Sequence, residues 1–167
     1  MRQHCRRQAL YRRLTSRSRE RTEVTFTAGV CPSSVRAMPL LYVDLIEGRA
    51  PAEVRALLDA IHDAVVEAFG VPPRDRYQVV RTHPIHEIVV WDTGLGIDRS
   101  SQLVVLHVVS RRRSPEMKQR FYQLVAANLA ARCGLDSADL VVSITDNDDE
   151  DWSFGYGRAQ FLTGELK

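Results

Sequence analysis

Residues 51–70 read PAEVRALLDAIHDAVVEAFG, and residues 115–134 read PEMKQRFYQLVAANLAARCG. Both segments are 20 residues long, begin at a proline and end at a glycine, and they are offset by 64 positions. Proline suits the first turn of a helix, where its missing N–H costs nothing, and glycine commonly follows the last turn. Ser114 stands before the second segment as an N-cap. The sequence therefore predicts two equivalent helices in an internal repeat. In the first helix the apolar residues recur at the spacing of a helix packed on a sheet: Val54, Leu57, Leu58, Ile61, Val65 and Phe69.

Extended segments flank each predicted helix. LLYVDLI, residues 40–46, alternates so that Leu41, Val43 and Leu45 share one face. LVVLHVV, residues 103–109, is apolar enough to be a central strand buried on both faces. The remaining extended pieces are YQVVRT at 77–82, HEIVVW at 86–91 and LVVSIT at 140–145.

This order of elements predicts a two-layer α/β fold of the α+β kind. Two successive β-α-β units, each with the usual right-handed crossover, give a four-stranded mixed sheet with both helices on one face. The strands also carry apolar residues on the face that the helices leave open. Another copy of the chain would cover that face most simply, so the sequence predicts an oligomer.

The charge is divided unevenly along the chain. Residues 1–37 carry nine Arg and two Glu, which leaves 14 basic and 19 acidic residues, a net charge of −5, in 38–167. We therefore expect an Arg-rich leader at 1–37 and one domain at 38–167. An acidic domain argues against a nucleic-acid groove, which needs clustered cations. Because the chain has no apolar stretch of membrane-spanning length, we expect no membrane partner and a cytoplasmic location.

The leader leaves three interpretations open. It is an open reading frame begun too far upstream, an organellar transit segment, or a disordered extension. The difference is chemical, because Met38 and Pro39 begin the predicted domain. If the chain starts at Met38, removal of that methionine leaves Pro39 with a free secondary amine. If the leader stays attached, the nitrogen of Pro39 is a tertiary amide without a proton.

Several charged and aromatic residues could form a site. Arg111 and Arg113, in SRRRS, stand two residues apart at the end of the predicted central strand. In an extended chain such residues project to the same side and can hold one anion, although a solvated turn is the plainer interpretation. Asp75 lies in the turn PPRDR, where an Asp usually bonds to its own backbone. The stretch DWSFGYGRAQFL, residues 151–162, interleaves aromatic residues with glycines. It suits an apolar wall of a pocket or an arm that packs on a neighbouring subunit.

Other motifs are incomplete. DTGLGIDRS lacks the third glycine of a dinucleotide loop, and DNDDED at 146–151 lacks the glycine and closing glutamate of a calcium loop, so it suggests a solvated turn. His83 and His86 have no second pair of ligands, and His107 suggests a core histidine, so we expect no metal or other cofactor. Cys133 is the only cysteine of the domain, which excludes a disulfide framework there and fits a reducing compartment.

Five segments, in order, resemble the tautomerase superfamily and within it the malonate semialdehyde decarboxylase group. They are PLLYVDLIEGR, EAFGVPPRDRYQVV, DTGLGIDRSS, SRRRS and DWSFGYGRAQFLTG. The resemblance covers nearly all of 39–167 and none of 1–37. It implies a tandem β-α-β fold, a homotrimer and catalysis by an amino-terminal proline. The implied catalytic residues are Pro39, Asp75, Arg111 and Arg113, with a pocket wall of Trp152, Phe154, Phe161 and Leu166.

On this basis the sequence predicts a metal-independent decarboxylase of a small 3-oxo acid, with a possible hydratase side activity through water oriented by Asp75. The first alternative is a keto-enol tautomerase of phenylpyruvate-like 2-oxo acids, in which Pro39 is the general base. The second is a non-catalytic trimer that binds a carboxylate or a protein, with Pro39 blocked by the leader.

Overall fold

The computed structural model describes residues 38–166, so the predictions for residues 1–37 lie outside the described part. Four strands, two helices and two short 3-10 turns follow one another. The strands are β1 (Leu40–Ile46), β2 (Tyr77–His83), β3 (Val104–Arg111) and β4 (Leu140–Asn147). The helices are α1 (Pro51–Phe69) and α2 (Pro115–Cys133), and the 3-10 turns are Ser137–Asp139 and Asp149–Asp151.

The strands form one mixed sheet in the order β2-β1-β3-β4. Strand β1 runs parallel to β2 and antiparallel to β3, and β3 runs parallel to β4. Each half of the chain is therefore a β-α-β unit, and the two units meet at the antiparallel pair β1 and β3. This confirms the predicted tandem fold.

Local sequence explains where both helices begin and end. Each starts with proline, and each is followed by a glycine, Gly70 or Gly134, with a φ of 64°. This left-handed conformation is easy for glycine and ends a helix. The hydroxyl of Ser114 accepts a hydrogen bond from the backbone N–H of Met117, so the predicted N-cap of α2 is confirmed.

The core lies between the sheet and the two helices. Leu41, Val43 and Leu45 of β1 face it, as predicted. The even-numbered residues of β3 from Val104 to Ser110 are buried on the same side. The predicted apolar stripe of α1 also faces the core, with Leu57, Ile61, Val65 and Phe69 buried and Val54 and Leu58 partly buried.

Two local predictions were wrong. Residues 86–91, HEIVVW, form no strand; a turn follows His83 and the chain continues irregularly, leaving Trp91 84% exposed. Strand β3 is central, and in the single described chain no second layer lies over its odd-numbered residues, so burial of both its faces, which needs another copy, stays a prediction. His107 lies on that open face, with its ring 6.4 Å from the ring of Tyr42, and not in the core.

None of the helices within residues 38–166 is long and apolar enough to cross a membrane.

Candidate active site

The strand directions bring the predicted site residues to one edge of the sheet. Pro39 precedes β1 and Asp75 precedes β2, and these two strands are parallel. Arg111 ends β3, which runs antiparallel to β1, so it reaches the same edge. The carboxyl end of β4 lies there too, followed by the aromatic segment that begins at Trp152. Residues far apart in sequence are thus neighbours because of the topology.

Pro39 is fully buried at this edge. Leu40, the first paired residue of β1, pairs with Val109 of β3 and with Tyr77 of β2. Pro39 therefore lies one residue before the start of both strand pairings. The side chain of Asp75, two residues before Tyr77, is 12% exposed. Its backbone N–H donates to the carbonyl oxygen of Pro72, which fixes the turn that carries it. A buried nitrogen position and a largely buried carboxylate at the same edge are suited to proton chemistry.

Arg111 projects from the open face of the sheet and forms an ion pair with Asp149. Its Nε lies 2.6 Å from Oδ1 of Asp149, and its Nη2 donates to Oδ2 at 3.0 Å. The guanidinium also lies 5.2 Å from the centre of the Phe161 ring. One cation is therefore held between a carboxylate and an aromatic face, which is a favourable position for a guanidinium.

Arg113 lies on the opposite side of the sheet edge. It is 7% exposed, its Nε donates to the hydroxyl of Ser110 at 3.1 Å, and its Nη1 donates to the carbonyl oxygen of Phe69 at 3.4 Å. Burial lowers the pKa of Arg113 from its ordinary value, and the nearby charge of Arg111 lowers it further. Two cations close enough to disfavour one another are both favoured by a bound anion.

Three of the four residues predicted to line a pocket, Trp152, Phe154 and Phe161, form an aromatic cluster with Tyr77. The rings of Trp152 and Phe154 are stacked, with centroids 5.4 Å apart. The ring of Phe161 meets that of Phe154 edge-on, with centroids 5.5 Å apart, and the ring centroid of Tyr77 lies 6.1 Å from that of Phe154. Phe161 joins this cluster to Arg111. The cluster therefore sets an apolar surface beside a cation.

Buried Gln160 organises the segment that carries the cluster. The side-chain amide of Gln160 accepts a hydrogen bond from the N–H of Phe154 and donates one to the carbonyl oxygen of Gly155. The backbone carbonyl of Gln160 accepts a hydrogen bond from the N–H of Leu166. Leu166, the last predicted wall residue, is thereby tied to the same loop. No motif in the sequence pointed to Gln160.

The prediction that Arg111 and Arg113 project to the same side of an extended chain was wrong. Strand β3 ends at Arg111, and the two guanidiniums have partners on different sides of the sheet. Sequence reasoning also missed Asp149 and Tyr77. The run DNDDED is more than a solvated turn, because Asp146 pairs with Lys118 as Asp149 does with Arg111.

Within residues 38–166, no group of three or more His, Cys, Asp and Glu side chains is placed to hold a metal ion. His83 pairs instead with Asp44, at 2.8 Å, on the open face of the sheet.

The fold and this edge define a tandem β-α-β protein with a proline, a carboxylate and two arginines at one end of its sheet. Two family models, both described as tautomerase enzyme, match residues 39–96 and 75–155. A protein of Bacillus subtilis named probable tautomerase YrdN is 56% identical over 129 residues, which is 77% of this chain and all of that protein. A second, probable tautomerase YusQ, is 31% identical over 75% of this chain and 99% of its own length.

Solved structures with a similar fold point to the same family. A malonate semialdehyde decarboxylase, described in wild-type, mutant and inactivated forms, is 52% identical, with a TM-score of 0.75 over 77% of this chain and 99% of its own. Another, FG41 malonate semialdehyde decarboxylase inhibited by 3-bromopropiolate, is 41% identical, with a TM-score of 0.73 over 76% of this chain and 97% of its own. The chain belongs to the tautomerase superfamily, in the group similar to malonate semialdehyde decarboxylase. It is thus a member of a superfamily of enzymes that are isomerases and lyases.

Proposed function

We propose that the protein is a metal-independent decarboxylase of a small 3-oxo acid resembling malonate semialdehyde, with the amine of Pro39 as its catalytic group. The observation that carries this proposal is the meeting of buried Pro39, Asp75 and Arg111 at one sheet edge, beside the aromatic cluster. The two similar decarboxylase structures support the choice of reaction.

The protein must bind the carboxylate and stabilise the negative charge that develops on the carbonyl. When the C–C bond to the carboxylate breaks, its electrons move onto the adjacent carbonyl, carbon dioxide leaves and an enolate forms. Arg111 holds the carboxylate and turns it out of the plane of the carbonyl, and the positive charge of nearby Arg113 attracts the same carboxylate. The ammonium of Pro39 donates its proton to the carbonyl oxygen as negative charge develops there. Proton return to carbon then yields the aldehyde.

Asp75 and the aromatic cluster act on the charges of this site. A carboxylate near Pro39 favours the ammonium form that donates a proton. The cluster keeps water from the carboxylate, which strengthens every electrostatic interaction there as charge moves away from it. Asp75 can also orient a water molecule, which fits the hydratase side activity that the sequence predicts.

Pro39 can act by a second route, in which its neutral nitrogen attacks the aldehyde, water leaves and an iminium takes up the electrons. Borohydride reduction during turnover separates the routes. Only the iminium is reduced to a stable tertiary amine, which leaves the substrate carbons attached to Pro39. Intact mass then reports the adduct on Pro39.

A keto-enol tautomerase is the second candidate, and the names of the two Bacillus subtilis relatives favour it. Neutral Pro39 would then move a proton between carbon and oxygen of a 2-oxo acid. Arg111 and Arg113 favour the neutral amine that this role needs, whereas Asp75 favours the ammonium. We place decarboxylation first because Asp75 is largely buried at this edge.

We also propose a cytoplasmic homotrimer. The face of the sheet opposite the helices bears half-exposed residues such as Val105 and Val109, which another copy can cover. A solved structure of fused 4-OT, 25% identical with a TM-score of 0.62, is described as a symmetric trimer.

The decisive experiment uses the protein as its native host makes it. Intact mass and amino-terminal sequencing establish whether the chain begins at Pro39, and the same sample is assayed with malonate semialdehyde and with phenylpyruvate. We expect a chain beginning at Pro39 that releases carbon dioxide, and a loss of rate of about a hundredfold or more in Pro39→Ala. Pro51→Ala, at an exposed proline near the opposite end of the sheet, is the matched control.

Two results contradict the proposal. One is full activity in a chain whose Pro39 nitrogen is still joined to residue 38. The other is turnover of phenylpyruvate alone, which makes the tautomerase the function. A chain that retains its leader and turns over neither compound is a binding protein.

A further inference from the structure

Asp149 forms a contact that the proposed reaction does not use. It is the first residue of the 3-10 turn Asp149–Asp151, two residues after the last residue of β4. Its Oδ1 is buried 2.6 Å from Nε of Arg111 as an ion-pair contact, and its Oδ2 accepts a hydrogen bond from Nη2. Asp149 thus occupies the Nε side of Arg111, one of the two sides on which a guanidinium can bind a carboxylate.

The surroundings favour this pair over an exposed one. The side chain of Arg111 is 24% exposed and that of Asp149 is 37% exposed. Phe161 lies against the guanidinium, and Trp152, three residues after Asp149, donates from Nε1 to Asn147 at the end of β4. The turn that carries Asp149 is therefore fastened on both sides, so its carboxylate stays near Arg111.

The pair changes how much negative charge the site can take. Arg111 and Arg113 carry two positive charges, and Asp149 offsets one of them. One net positive charge therefore remains on the arginine pair, which matches a substrate with one carboxylate and an uncharged carbonyl. A ligand with two carboxylates would bring one negative charge too many.

We propose that Asp149 is a specificity-determining residue that restricts the arginine pair to monocarboxylates and rejects dicarboxylates of similar size. This inference rests on the proposed function, because it assigns the same two arginines to the substrate carboxylate. It adds a residue that excludes related acids by charge, a form of selection that works through repulsion.

The test measures binding without catalysis, on the chain that begins at Pro39. Malonate and monomethyl malonate have nearly the same shape, but at pH 7.5 malonate carries two charges and its monoester carries one. Dissociation constants for both are measured by titration calorimetry at one fixed ionic strength, since salt screens such effects. The proteins are wild type, Asp149→Asn and Glu150→Gln. Glu150 is exposed in the same turn, so its variant removes an equal charge one residue away.

We expect wild type to bind the monoester more tightly than malonate. In Asp149→Asn the affinity for malonate, relative to that for the monoester, rises about tenfold, the scale of one charge-assisted hydrogen bond. In Glu150→Gln the ratio changes by less than about twofold, as expected for an exposed charge. Asp149→Ser serves as a second variant should the asparagine protein fail to fold.

Two outcomes overturn the inference, and they differ in what else they affect. If the ratio of the two affinities is unchanged in Asp149→Asn, or shifts equally in Glu150→Gln, charge selection by Asp149 is wrong while the carboxylate site stands. If none of the proteins binds either compound, the arginine pair is no carboxylate site, and the proposed function fails with the inference.

Discussion

The Nη1 of Arg113 donates to the carbonyl oxygen of Phe69, the last residue of α1, so a residue of the candidate site also closes a helix. The guanidinium lies 5.0 Å from the centre of the Phe69 ring as well. Helix α1 has no basic residue in its own last turn, and a cation at that end interacts favourably with the helix dipole. Arg113 therefore stabilises the end of α1, and we propose that it also takes part in substrate binding.

Replacing Arg113 should accordingly lower stability as well as activity. We expect Arg113→Met to reduce the free energy of unfolding by about 1–3 kcal/mol, because buried acceptors lose a charged donor. Urea unfolding followed by far-UV circular dichroism measures the change. Arg112→Met, at the exposed neighbour, should change it by less than about 0.5 kcal/mol. An Arg113 variant as stable as wild type would disprove the helix-closing role.

Phe154 is central to the aromatic cluster, since its ring contacts those of Trp152, Phe161 and Tyr77. We expect Phe154→Leu to lower kcat/KM about tenfold, because the site admits more water beside the reacting carboxylate. The emission of Trp152 should shift to longer wavelength in the same variant. Leu162→Ala, at a residue 64% exposed nearby, is the control and should leave both quantities unchanged. An unshifted emission with full activity would contradict the role of the cluster.

We expect the ionisation of Asp92 to make the free energy of unfolding depend on pH in the acid range. Its carboxylate accepts hydrogen bonds from the backbone N–H groups of Gly94, Leu95 and Gly96, and these bonds, that of Gly96 foremost, lower its pKa from the ordinary value. A lowered pKa in the folded state gives stability that is complete above the unfolded value of about 3.9. That stability is lost as the pH falls through the folded value.

Melting temperatures between pH 7 and pH 3 test this expectation. The fall in Tm on acidification should be smaller in Asp92→Asn than in wild type, because the variant has no carboxylate to protonate at that position. Asp98→Asn, at another exposed carboxylate of the same loop, is the matched control. Equal falls in wild type and Asp92→Asn would show that the turn does not contribute in this pH range.

The open face of the sheet should carry the contacts between copies. Light scattering of the wild-type protein should give three times the chain mass. Val105→Glu places a charge on that face and should yield monomers that keep the far-UV circular dichroism of the fold. Gln119→Glu adds the same charge to an exposed position of α2, on the other side of the molecule, and should remain assembled. Assembly of the Val105 variant would exclude this face as the interface.

The sequence predicted the parts of the fold that depend on local signals. Pro51 and Gly70 determine the limits of α1, and the alternation about Val43 identifies the buried side of β1, because these patterns act within a few residues. HEIVVW was predicted to be extended, and its four consecutive β-branched or aromatic residues are types that favour strands, yet no neighbouring strand in the described chain offers it a ladder of hydrogen bonds. Residue type alone does not distinguish a paired strand from an exposed segment.

The site was predicted less completely, and for a different reason. Pro39, Asp75 and Arg111 were identified through the resemblance, and their meeting at one edge follows from the strand order. Asp149 was missed because its partner lies 38 positions away, at the end of another strand. A run of acidic residues gives no sign of which carboxylate will meet a cation, since that depends on the twist and register of the sheet.

The repeat has an evolutionary consequence. Because the two units are offset by 64 positions, each site residue has a counterpart at the opposite edge of the sheet: Leu103 for Pro39, Asp139 for Asp75, Glu47 for Arg111 and Arg49 for Arg113.

These counterparts are structural. The carboxylate of Asp139 accepts from the N–H and hydroxyl of Ser100, and Arg49 donates to the carbonyl oxygens of Ile46 and Gln102. Leu103 lies within the chain and can never offer an amine. Fusion of two half-length ancestors would leave such a pattern, in which one end of the sheet carries the candidate site and the equivalent residues at the other end hold loops in place.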